Sequence, residues 1–341
     1  MARPATIADV AARAGVSPAT VSRVMNGTRA VDQEMTERVR AAAAALDYSP
    51  SPLARSLVLG RTNTVAVVVP DLGNPTFHGV LRGLSHAAAR NGYHVLVADS
   101  AESVTAELAL AQQTRRRCDG LVLVAPRMPE TDLAQLLRTL QPMVVVNREP
   151  VGEHASPVVT ADYRLGLTEL LELLYADGHR SLAYLAGAPQ SASNTRRLAA
   201  LEEFGATHPD LAVEIRPCGV NFVDGHDAAG PLVRSGVTGV LAFNDLVAMG
   251  LVSALGEAGV AVPAAMSVVG FDDIPFARYV TPPLTTAAVP VTELGELAWQ
   301  GMWDLLSGGP PRRTVVLSPQ VVRRGSTGPA ARSRPETADG P

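Results

Sequence analysis

The stretch from Thr6 to Gly27 constrains the fold and the chemistry of this chain more than any other. Apolar side chains recur there at helical spacing, at Ile7, Val10, Ala11 and Ala14. Thr6 can cap this helix with help from Asp9, and Gly15 suits a turn with positive φ. Ser17-Pro18 is then a typical start for a second helix. Two helices joined by so short a turn indicate either a helix-turn-helix unit, whose second helix can enter the major groove of DNA, or a purely structural helical hairpin.

A third helix is predicted from Asp32, which can cap it, to about Tyr48. It would close a small three-helix domain over residues 1–48. Ser49-Pro50-Ser51-Pro52 then repeats a helix start signal, yet only about two turns fit before Gly60, too few for an isolated helix. Residues 49–61 are therefore interpreted either as a flexible linker or as a hinge helix that orders only when it is bound and paired.

Charge is divided unevenly along the chain. The whole sequence has a formal net charge of −4, but residues 1–61 contain eight arginines and five acidic residues, a net charge of +3. The remaining residues therefore carry a net charge of −7. A basic N-terminal domain on an acidic body is typical of a protein in which only that domain meets phosphate groups.

Other sequence features count against several classes of protein. The first apolar segment carries Asp9 and Arg13, unlike a signal peptide, and no run approaches the roughly 18 apolar residues of a membrane span. Cys118 and Cys218 are isolated, which suits a reducing cytoplasm and indicates buried apolar roles. The seven histidines lack the spacing of a metal site. We therefore expect a cytoplasmic, nucleoid-associated protein with no metal and no other cofactor.

From Arg61 onward, short apolar runs alternate with amphipathic helices. Val65–Val69 is a β-branched run without polar alternation, as expected for a strand buried on both faces. One series of strands and helices covers residues 65–146, and a second covers residues 163–270. This alternation predicts an α/β architecture with two doubly wound parallel sheets. It also predicts a ligand cleft between two lobes, at the carboxyl ends of the strands.

The two lobes are predicted to be built from separate parts of residues 62–324. The first lobe is expected to comprise about 62–161 and 290–318, and the second about 162–289 and 319–324. The segments near 284–288 and 314–323, with a helix at 291–307, are interpreted as crossovers that return to the first lobe. Residues 325–341 are rich in proline, alanine, glycine and charge, and are expected to form a disordered tail.

The cleft is expected to bind a ligand and not to catalyse a reaction. The sequence lacks the glycine-rich motifs of dinucleotide and P-loop sites after its predicted strands, and it lacks the GxSxG elbow of hydrolases. Asp272-Asp273 is a carboxylate pair that could in principle do acid–base work, but no partner base is evident. A carboxylate at a strand end more often accepts hydrogen bonds from ligand hydroxyls.

Polar and aromatic candidates for binding that ligand fall mostly where predicted strands meet helices. They are Asn74, Thr76, Phe77, Arg197, Phe222, Asn244 and Asp272. Arg197 can donate paired hydrogen bonds, Asn244 can donate and accept, and Asp272 can accept from vicinal hydroxyls. The two phenylalanines could stack on a ring face. Each residue also has a plain structural interpretation, such as a helix cap for Asn244, a core residue for Phe222 or a surface charge for Arg197.

The residues themselves carry a family resemblance. The run Thr-Ile-x-Asp-Val-Ala-x-x-Ala-Gly-Val-Ser-x-x-Thr-Val-Ser-Arg-Val-x-Asn-Gly at 6–27 closely resembles the N-terminus of the lactose/galactose repressor (LacI/GalR) family. Asp71–Pro75, Val268–Pro275, Thr281–Thr286 and Val321–Arg324 resemble landmarks of that family, in the same order. The resemblance implies an all-α helix-turn-helix head on a two-lobed core like that of periplasmic binding proteins. It also implies a repressor of transcription, a homodimer or larger, that binds palindromic operator DNA under the control of a small effector.

The same resemblance implies contacts with DNA. The candidate residues are Thr6, Ser17, Pro18, Ala19, Thr20, Ser22, Arg23, Asn26, Arg29, Arg55 and Leu57. Arg23 and Ala19 are expected to face base edges, because arginine with guanine is the commonest specific pairing. Side chains such as Thr20 and Arg29 are expected to contact phosphate. The motif Ala54-Arg-Ser-Leu57 matches the hinge helix of the family, which implies that Leu57 inserts into the minor groove.

In the cleft, the effector-binding positions of the family align with Phe77, Arg197, Phe222, Asn244 and Asp272. Two departures from the family pattern bear on the identity of the effector. Thr76 stands where an aromatic residue is common, and Asn147 stands where an acidic residue is common. His78 and Arg148 are further candidates. A sugar-like effector is expected. The alternatives are a purine-type co-repressor and a solute-binding protein of a transport system, although the basic head counts against the latter.

Overall fold

The computed structural model describes residues 3, 5–26, 32–49, 60–149, 156–310 and 314–330. They fall into two compact units, one up to Asn63 and one from Thr64 onward. In the first unit the described elements are three helices, and every strand of the described residues lies in the second unit.

The first unit begins with the predicted pair of helices, α1 (Ile7–Ala14) and α2 (Pro18–Asn26), followed by α3 (Gln33–Ala45). The backbone N–H of Thr6 donates to Asp9 Oδ2 at 2.8 Å, and the N–H of Asp9 donates to Thr6 Oγ1 at 3.4 Å. This reciprocal cap satisfies two N–H groups that have no partner inside α1. Gly15 ends the helix with φ at +66°. The helix-turn-helix predicted from the sequence is confirmed.

One valine from each helix forms the centre of this small domain. Val10, Val21 and Val39 are each fully buried, and α3 begins where the N–H of Met35 donates to the Asp32 carboxylate at 3.3 Å. Burial of three such side chains contributes about 1.5–3 kcal/mol each relative to exposure. Apolar packing between the three helices therefore stabilises the domain, and the capping residues fix where those helices begin and end.

The second unit alternates strands and helices along the chain. In order they are β1 (Thr64–Val69), α4 (Pro75–Arg90), β2 (His94–Asp99), α5 (Val104–Arg115), β3 (Gly120–Val124), α6 (Glu130–Thr139), β4 (Met143–Val146), β5 (Val158–Ala161), α7 (Tyr163–Ala176), β6 (Ser181–Ala186), α8 (Ala192–Thr207), β7 (Ala212–Pro217), α9 (Phe222–Asp227), α10 (Ala229–Ser235), β8 (Gly239–Ala242), α11 (Asp245–Glu257), β9 (Ser267–Asp272), β10 (Thr285–Ala288), α12 (Val291–Leu306), β11 (Val315–Leu317) and β12 (Gln320–Val322). Among the described helices, none is long and apolar enough to cross a membrane.

These strands form two six-stranded sheets, one in each lobe. The first has the order β11-β5-β4-β3-β1-β2 and is parallel throughout. The second has the order β12-β10-β9-β8-β6-β7 and is parallel except for β12, which runs antiparallel to β10. Val67 pairs with Val97 of β2 and with Val122 of β3, so β1 is central and needs no polar face. The two-lobed α/β fold is confirmed.

The chain passes between the two sheets after β5, after β10 and after β11. The interpretation of 284–288 as a return to the first lobe is wrong, because β10 pairs in parallel with β9 in the second sheet. The return is made by α12, which packs against α4. Residues 314–323 divide into two short strands, one for each sheet. The lobes are therefore joined by three connecting segments.

Two further expectations need correction in the second unit. Within the second series, the sequence pattern predicts one helix near 224–234, but the structure has two, α9 and α10, separated at Ala228. The expected disordered tail is ordered over 325–330. There Ser326 Oγ donates to the Val268 carbonyl at 2.6 Å and accepts from the Thr285 N–H at 2.8 Å. Ser326 is fully buried, and its hydrogen bonds order a segment whose composition is typical of disordered chains. Residues 331–341 lie outside the described residues.

Glycines let helices α4 and α12 approach each other closely. A Cβ atom at Gly83 would collide with the backbone carbonyl of Thr292, and one at Gly295 would collide with the carbonyl of Val80. Since neither carbonyl can move without shifting its helix, the crossing of α4 and α12 requires glycine at both positions. This contact fixes α4, whose N-terminus contributes to the cleft.

Replacing Gly83 by alanine is expected to lower the free energy of unfolding by about 1–3 kcal/mol, because the added methyl group overpacks a helix crossing. Chemical denaturation monitored by circular dichroism measures this change. Gly205→Ala in α8 is the matched control, since nothing lies within 4 Å of a Cβ atom there. The control should be neutral or stabilising by up to about 1 kcal/mol. Equal unfolding midpoints for the two variants would contradict the close approach.

Candidate functional site

The second helix of the head exposes a polar and small-residue face. Ser17, Pro18, Ala19 and Arg23 are exposed, whereas Val21 and Val24 on the opposite face are buried. The guanidinium of Arg23 donates from Nε to the Ala19 carbonyl at 3.3 Å and from Nη2 to Thr20 Oγ1 at 3.5 Å. Both contacts are long, so the guanidinium can exchange them for a stronger acceptor.

The other predicted DNA-contacting residues divide into three groups. Thr20 and Ser22 are half-buried on α2, and Thr20 Oγ1 lies 3.0 Å from Ser17 Oγ. Thr6 lies at the start of α1, where Thr6 Oγ1 also donates to Asp9 Oδ2 at 2.7 Å. Arg29, Arg55 and Leu57 lie outside the described residues, as does the side chain of Asn26.

A cavity of about 40 Å³ lies where the carboxyl ends of the strands of both sheets meet. Six of the seven residues predicted from strand–helix junctions line it, together with Asn147. Its wall is formed by Asn74, Thr76, Phe77, Glu102, Ala125, Arg127, Asn147, Tyr163, Ser193, Arg197, Val220, Phe243, Asn244 and Asp272. Its volume is close to the room for one water molecule, while ligand pockets have roughly 300 Å³ or more. In this structure the cavity is therefore too small for a ligand of that size.

Arg197 is the most unusual side chain in this wall. It is only 2% exposed, and its guanidinium carbon lies 3.8 Å from the ring centre of Phe271 and 4.7 Å from that of Phe243. Cation–π contacts of this kind partly compensate for lost hydration. Its Nε and Nη1 atoms have no hydrogen-bond partner among the described residues. Buried donors left unpaired are costly, which makes Arg197 a strong candidate for a ligand contact.

Asp272 faces the cavity from the end of β9 and connects the two lobes. Its Oδ2 accepts a hydrogen bond of 2.8 Å from Thr76 Oγ1, which belongs to α4 of the first lobe. Burial raises the pKa of Asp272 to about 6, while the Arg197 charge and the Thr76 hydrogen bond act in the opposite direction. Thr76 thus supplies a polar contact between the lobes.

Two asparagines in the wall also serve as helix caps. Asn74 Oδ1 accepts from the Thr76 N–H at 3.0 Å at the start of α4, and Asn244 Oδ1 accepts from the Val247 N–H at 2.9 Å at the start of α11. The capping and ligand-binding interpretations are therefore compatible. Asp245, by contrast, is fully buried and accepts from the Ile274 N–H and Thr286 Oγ1, and burial raises its pKa. It holds the loops around the cleft in place.

Backbone strain is concentrated at the strand ends around the cavity. Eight described residues other than glycine have positive φ, and six of them follow or end β2, β3, β4 or β9. These six are Ala101, Glu102, Ala125, Asn147, Asp272 and Asp273. A left-handed conformation costs such residues about 1–3 kcal/mol each, and strain of this kind clusters at ligand sites. The strained ends turn side chains such as Glu102, Asn147 and Asp272 toward the cavity.

Sequence reasoning missed an ion pair in this wall. Arg127 donates from Nε and Nη2 to the two carboxylate oxygens of Glu102 at 2.7 and 2.9 Å. The N–H groups of Arg127 and Met128 donate to the buried carboxylate of Glu107, which fixes the loop after β3. The sequence does show that both residues lie in loops that follow parallel strands. It does not show that they pair, because the two residues are 25 positions apart in sequence.

Three predicted cleft residues lie elsewhere. Phe222 is the first residue of α9 and is 40% exposed, and Val220 occupies the cavity wall in its place, so the prediction for Phe222 is not supported by its position. His78 is exposed, with Nε2 2.7 Å from the Leu72 carbonyl oxygen. Arg148 lies just outside the closed cavity, in a neighbouring and larger part of the cleft.

Comparisons with known proteins identify the family. A model described as "Bacterial regulatory proteins, lacI family" matches residues 6–51, and one described as "Periplasmic binding protein-like domain" matches residues 171–327. The HTH-type transcriptional regulator GalR of Escherichia coli (strain K12) is 33% identical over 330 residues, which cover 94% of this chain and 95% of the relative. The chain belongs to the LacI family.

The LacI-family similarity extends over almost the whole chain. The transcriptional repressor CytR of Escherichia coli (strain K12) is 31% identical over 95% of this chain and 96% of its own length. A crystal structure of the lac repressor dimer, bound to operator and the anti-inducer ONPF, matches with a TM-score of 0.86 and 26% identity. That match covers 96% of this chain and 100% of the other. This LacI-family protein is thus a transcriptional regulator with a DNA-binding head and an effector-binding core, and its relatives are regulators, not enzymes.

Proposed function

We propose that this LacI-family chain is a cytoplasmic, homodimeric repressor that is released from palindromic operator DNA by a sugar-like effector. The cleft supports the proposal most directly. Arg197 has two buried donor atoms without a partner among the described residues, and the carboxylate of Asp272 lines the same cavity. Donors and acceptors aimed at one space, beside aromatic side chains, suit a ligand with several hydroxyl groups. The chain acts through binding and has no catalytic role.

The effector is proposed to contact both lobes. Asp272 accepts hydrogen bonds from vicinal hydroxyls, and Arg197 donates from Nε and Nη1. Phe77 and Phe243 supply apolar surface for a ring face, and the remaining polar groups of the wall orient the ring. These are Asn74, Thr76, Asn147 and Asn244. A ligand that occupies this space must displace the hydrogen bond between Thr76 and Asp272, so it changes the angle between the lobes.

DNA recognition is proposed to come from two copies of the head. Arg23 reads a guanine, Pro18 and Ala19 contact thymine methyl groups, and the remaining candidates contact phosphate or the minor groove. These remaining candidates are Thr6, Ser17, Thr20, Ser22, Asn26, Arg29, Arg55 and Leu57. A single recognition helix reads too few base pairs for useful specificity, whereas two related by a twofold axis read a palindrome.

Exposed apolar side chains support a dimer. Leu72, Leu96 and Val97 are each 38% exposed at the β2 edge of the first sheet, where the Leu72 N–H donates to Asp99 at 3.1 Å. In the second lobe, Phe276 is 55% exposed and Tyr279 is 78% exposed. Apolar groups of this size at an open sheet edge and on a nearby lobe favour burial against a second copy. The related lac repressor forms a dimer on its operator.

A titration of the full chain with labelled operator DNA and a panel of sugars tests this function. A sugar that binds the protein and lowers its operator affinity at least tenfold supports induction. A purine-type co-repressor is the second candidate, because the aromatic rings of Phe77, Phe243 and Tyr163 line the cavity and could stack on a flat base. If purines raise operator affinity while sugars leave it unchanged, the induction proposal is wrong.

Effector binding is expected to depend on pH through Asp272. Its pKa of about 6 means that part of the population is protonated below neutral pH, whereas a hydroxyl group donates best to the ionised carboxylate. Binding therefore releases a proton. As the pH falls below 6, the affinity for the effector decreases, and the decrease approaches about tenfold per pH unit. Calorimetry at pH 5, 6 and 7 measures this slope, which Asp272→Asn should abolish. Affinity that stays constant or rises on acidification would contradict the assignment.

A further inference from the structure

A larger chamber adjoins the closed cavity. It has a volume of about 790 Å³ and is lined by residues of both lobes, among them Arg127, Arg148 and Arg196. Arg127 also lines the inner cavity, so the two spaces adjoin each other at its side chain. We call this space the outer chamber. It is large enough for a substituent that the 40 Å³ cavity does not accommodate.

The arginines of the outer chamber differ in their partners. Arg127 is paired with Glu102 at 2.7 Å, and Arg196 is paired with Glu149 across the two lobes. Arg148 is half-buried, and its guanidinium donates from Nη1 to the Pro126 carbonyl at 3.1 Å. No carboxylate of the described residues lies within ion-pair distance of it. The outer chamber thus contains one guanidinium whose charge has no close counterion there.

The surroundings of Arg148 do not remove this imbalance. Burial lowers the pKa of Arg148, the charges of Glu107 and Glu130 raise it, and the charge of Arg127 lowers it. Glu130 is exposed in the first turn of α6, where the helix dipole and solvent already stabilise it. Glu107 accepts from the backbone N–H groups of Arg127 and Met128. Neither carboxylate is positioned to pair with Arg148 directly.

We propose that the effector carries an anionic group, a carboxylate or a phosphate, that lies in the outer chamber against Arg148. This inference rests on the proposed function, because the hydroxyl end of the same ligand occupies the inner cavity beside Arg197 and Asp272. A guanidinium matches the two oxygens of either anion with parallel N–H groups. Arg127 and Arg196 lie along the same wall, but Glu102 and Glu149 already balance their charges, so Arg148 is the guanidinium left for the anion. The effector class is therefore an acidic or phosphorylated sugar.

Calorimetry on the full chain tests the inference with matched ligands. Each set comprises a neutral hexose, its uronic acid and its 6-phosphate, in the glucose and galactose series. We expect the acid or the phosphate of one series to bind at least tenfold more tightly than the neutral hexose, and which of the two does so identifies the anion. In Arg148→Gln this preference is expected to disappear, leaving the charged ligand with the affinity of the neutral one.

Two control variants separate the possible failures. Arg138→Gln, on α6 and outside the lining of the cleft, should keep the anion preference, and the unfolding temperature of each variant reports on its folding. The anionic site is overturned if neutral and charged ligands bind with equal affinity. It is also overturned if Arg148→Gln lowers the affinity for all three ligands equally. Either result leaves the proposed function standing. If no ligand binds or alters operator affinity, and Asp272→Asn has no effect, both proposals are overturned.

Discussion

Arg23→Ala is expected to lower operator affinity by about 1–3 kcal/mol at each half-site, and by about 2–6 kcal/mol for a dimer that uses two copies. The guanidinium of Arg23 lies on the exposed face of α2, where its own contacts are 3.3 and 3.5 Å long. The N7 and O6 atoms of guanine offer a shorter bidentate contact. Fluorescence anisotropy with the operator and with single-base variants measures both the loss and its dependence on sequence.

Arg13→Ala is the control for this prediction. Arg13 is also an exposed arginine of the head, but it lies in the last turn of α1 and not on the recognition helix. Its loss should weaken binding by a similar small factor on every sequence, and mainly at low salt. Arg23→Ala should instead reduce the difference between the operator and unrelated DNA. If its loss is equal on all sequences, Arg23 contacts phosphate and does not read a base.

Arg197→Ala is expected to remove the response to effector almost completely, with at least a 100-fold loss of effector affinity. Nε and Nη1 are buried without partners among the described residues, and their N–H groups point in different directions, so two hydroxyl groups of a bound ligand can each accept one hydrogen bond from the charged guanidinium. Such bonds contribute about 1.5–3 kcal/mol each, or roughly 10- to 150-fold. The variant is then expected to repress at effector concentrations that release the unmodified chain. Calorimetry and operator titration measure the two effects separately.

The fold of the Arg197 variant needs its own control. Arg197 packs on Phe271 and Phe243, so its removal leaves space in the second lobe and costs stability. Arg197→Met retains much of that packing while it removes the donors, and it should show the same loss of effector binding with a smaller change in unfolding temperature. Arg164→Ala loses only an exposed pair with Glu203 and should bind effector normally. Normal effector binding by Arg197→Met would refute the assignment.

Local signals were sufficient for much of the fold. Three local signals each act over a few residues, and the structure confirms all three: the cap formed by Thr6 and Asp9, the turn at Gly15 and the uninterrupted apolar run of β1. Strand β5 escaped notice because it has only four residues and its partners, β4 and β11, are set by pairing across the sheet. Residues 325–330 are likewise ordered by contacts with β9 and β10, far away in the sequence.

Residues of the site could be predicted where a polar side chain able to bind a ligand lies near the carboxyl end of a predicted strand. Arg197, Asn244 and Asp272 satisfy both conditions, and all three line the cavity. Phe222 was expected to form an aromatic wall, but it does not line the cavity: Asn221 caps α9 directly before it, and the ring is 40% exposed. The ion pair of Arg127 with Glu102 depends on the left-handed backbone conformation of Glu102 and Ala125. Neither residue type predicts that conformation.

The hydrogen bond between Thr76 and Asp272 has a consequence for the measured affinity of any effector. A ligand larger than this 40 Å³ space must separate Thr76 from Asp272 before it can enter, so only the fraction of molecules in which this hydrogen bond is open can bind it. The apparent dissociation constant exceeds the intrinsic one by the inverse of that fraction. We therefore expect substitutions at position 76 to shift the effector concentration at which this regulator responds, even where they leave the fit of the bound effector unchanged.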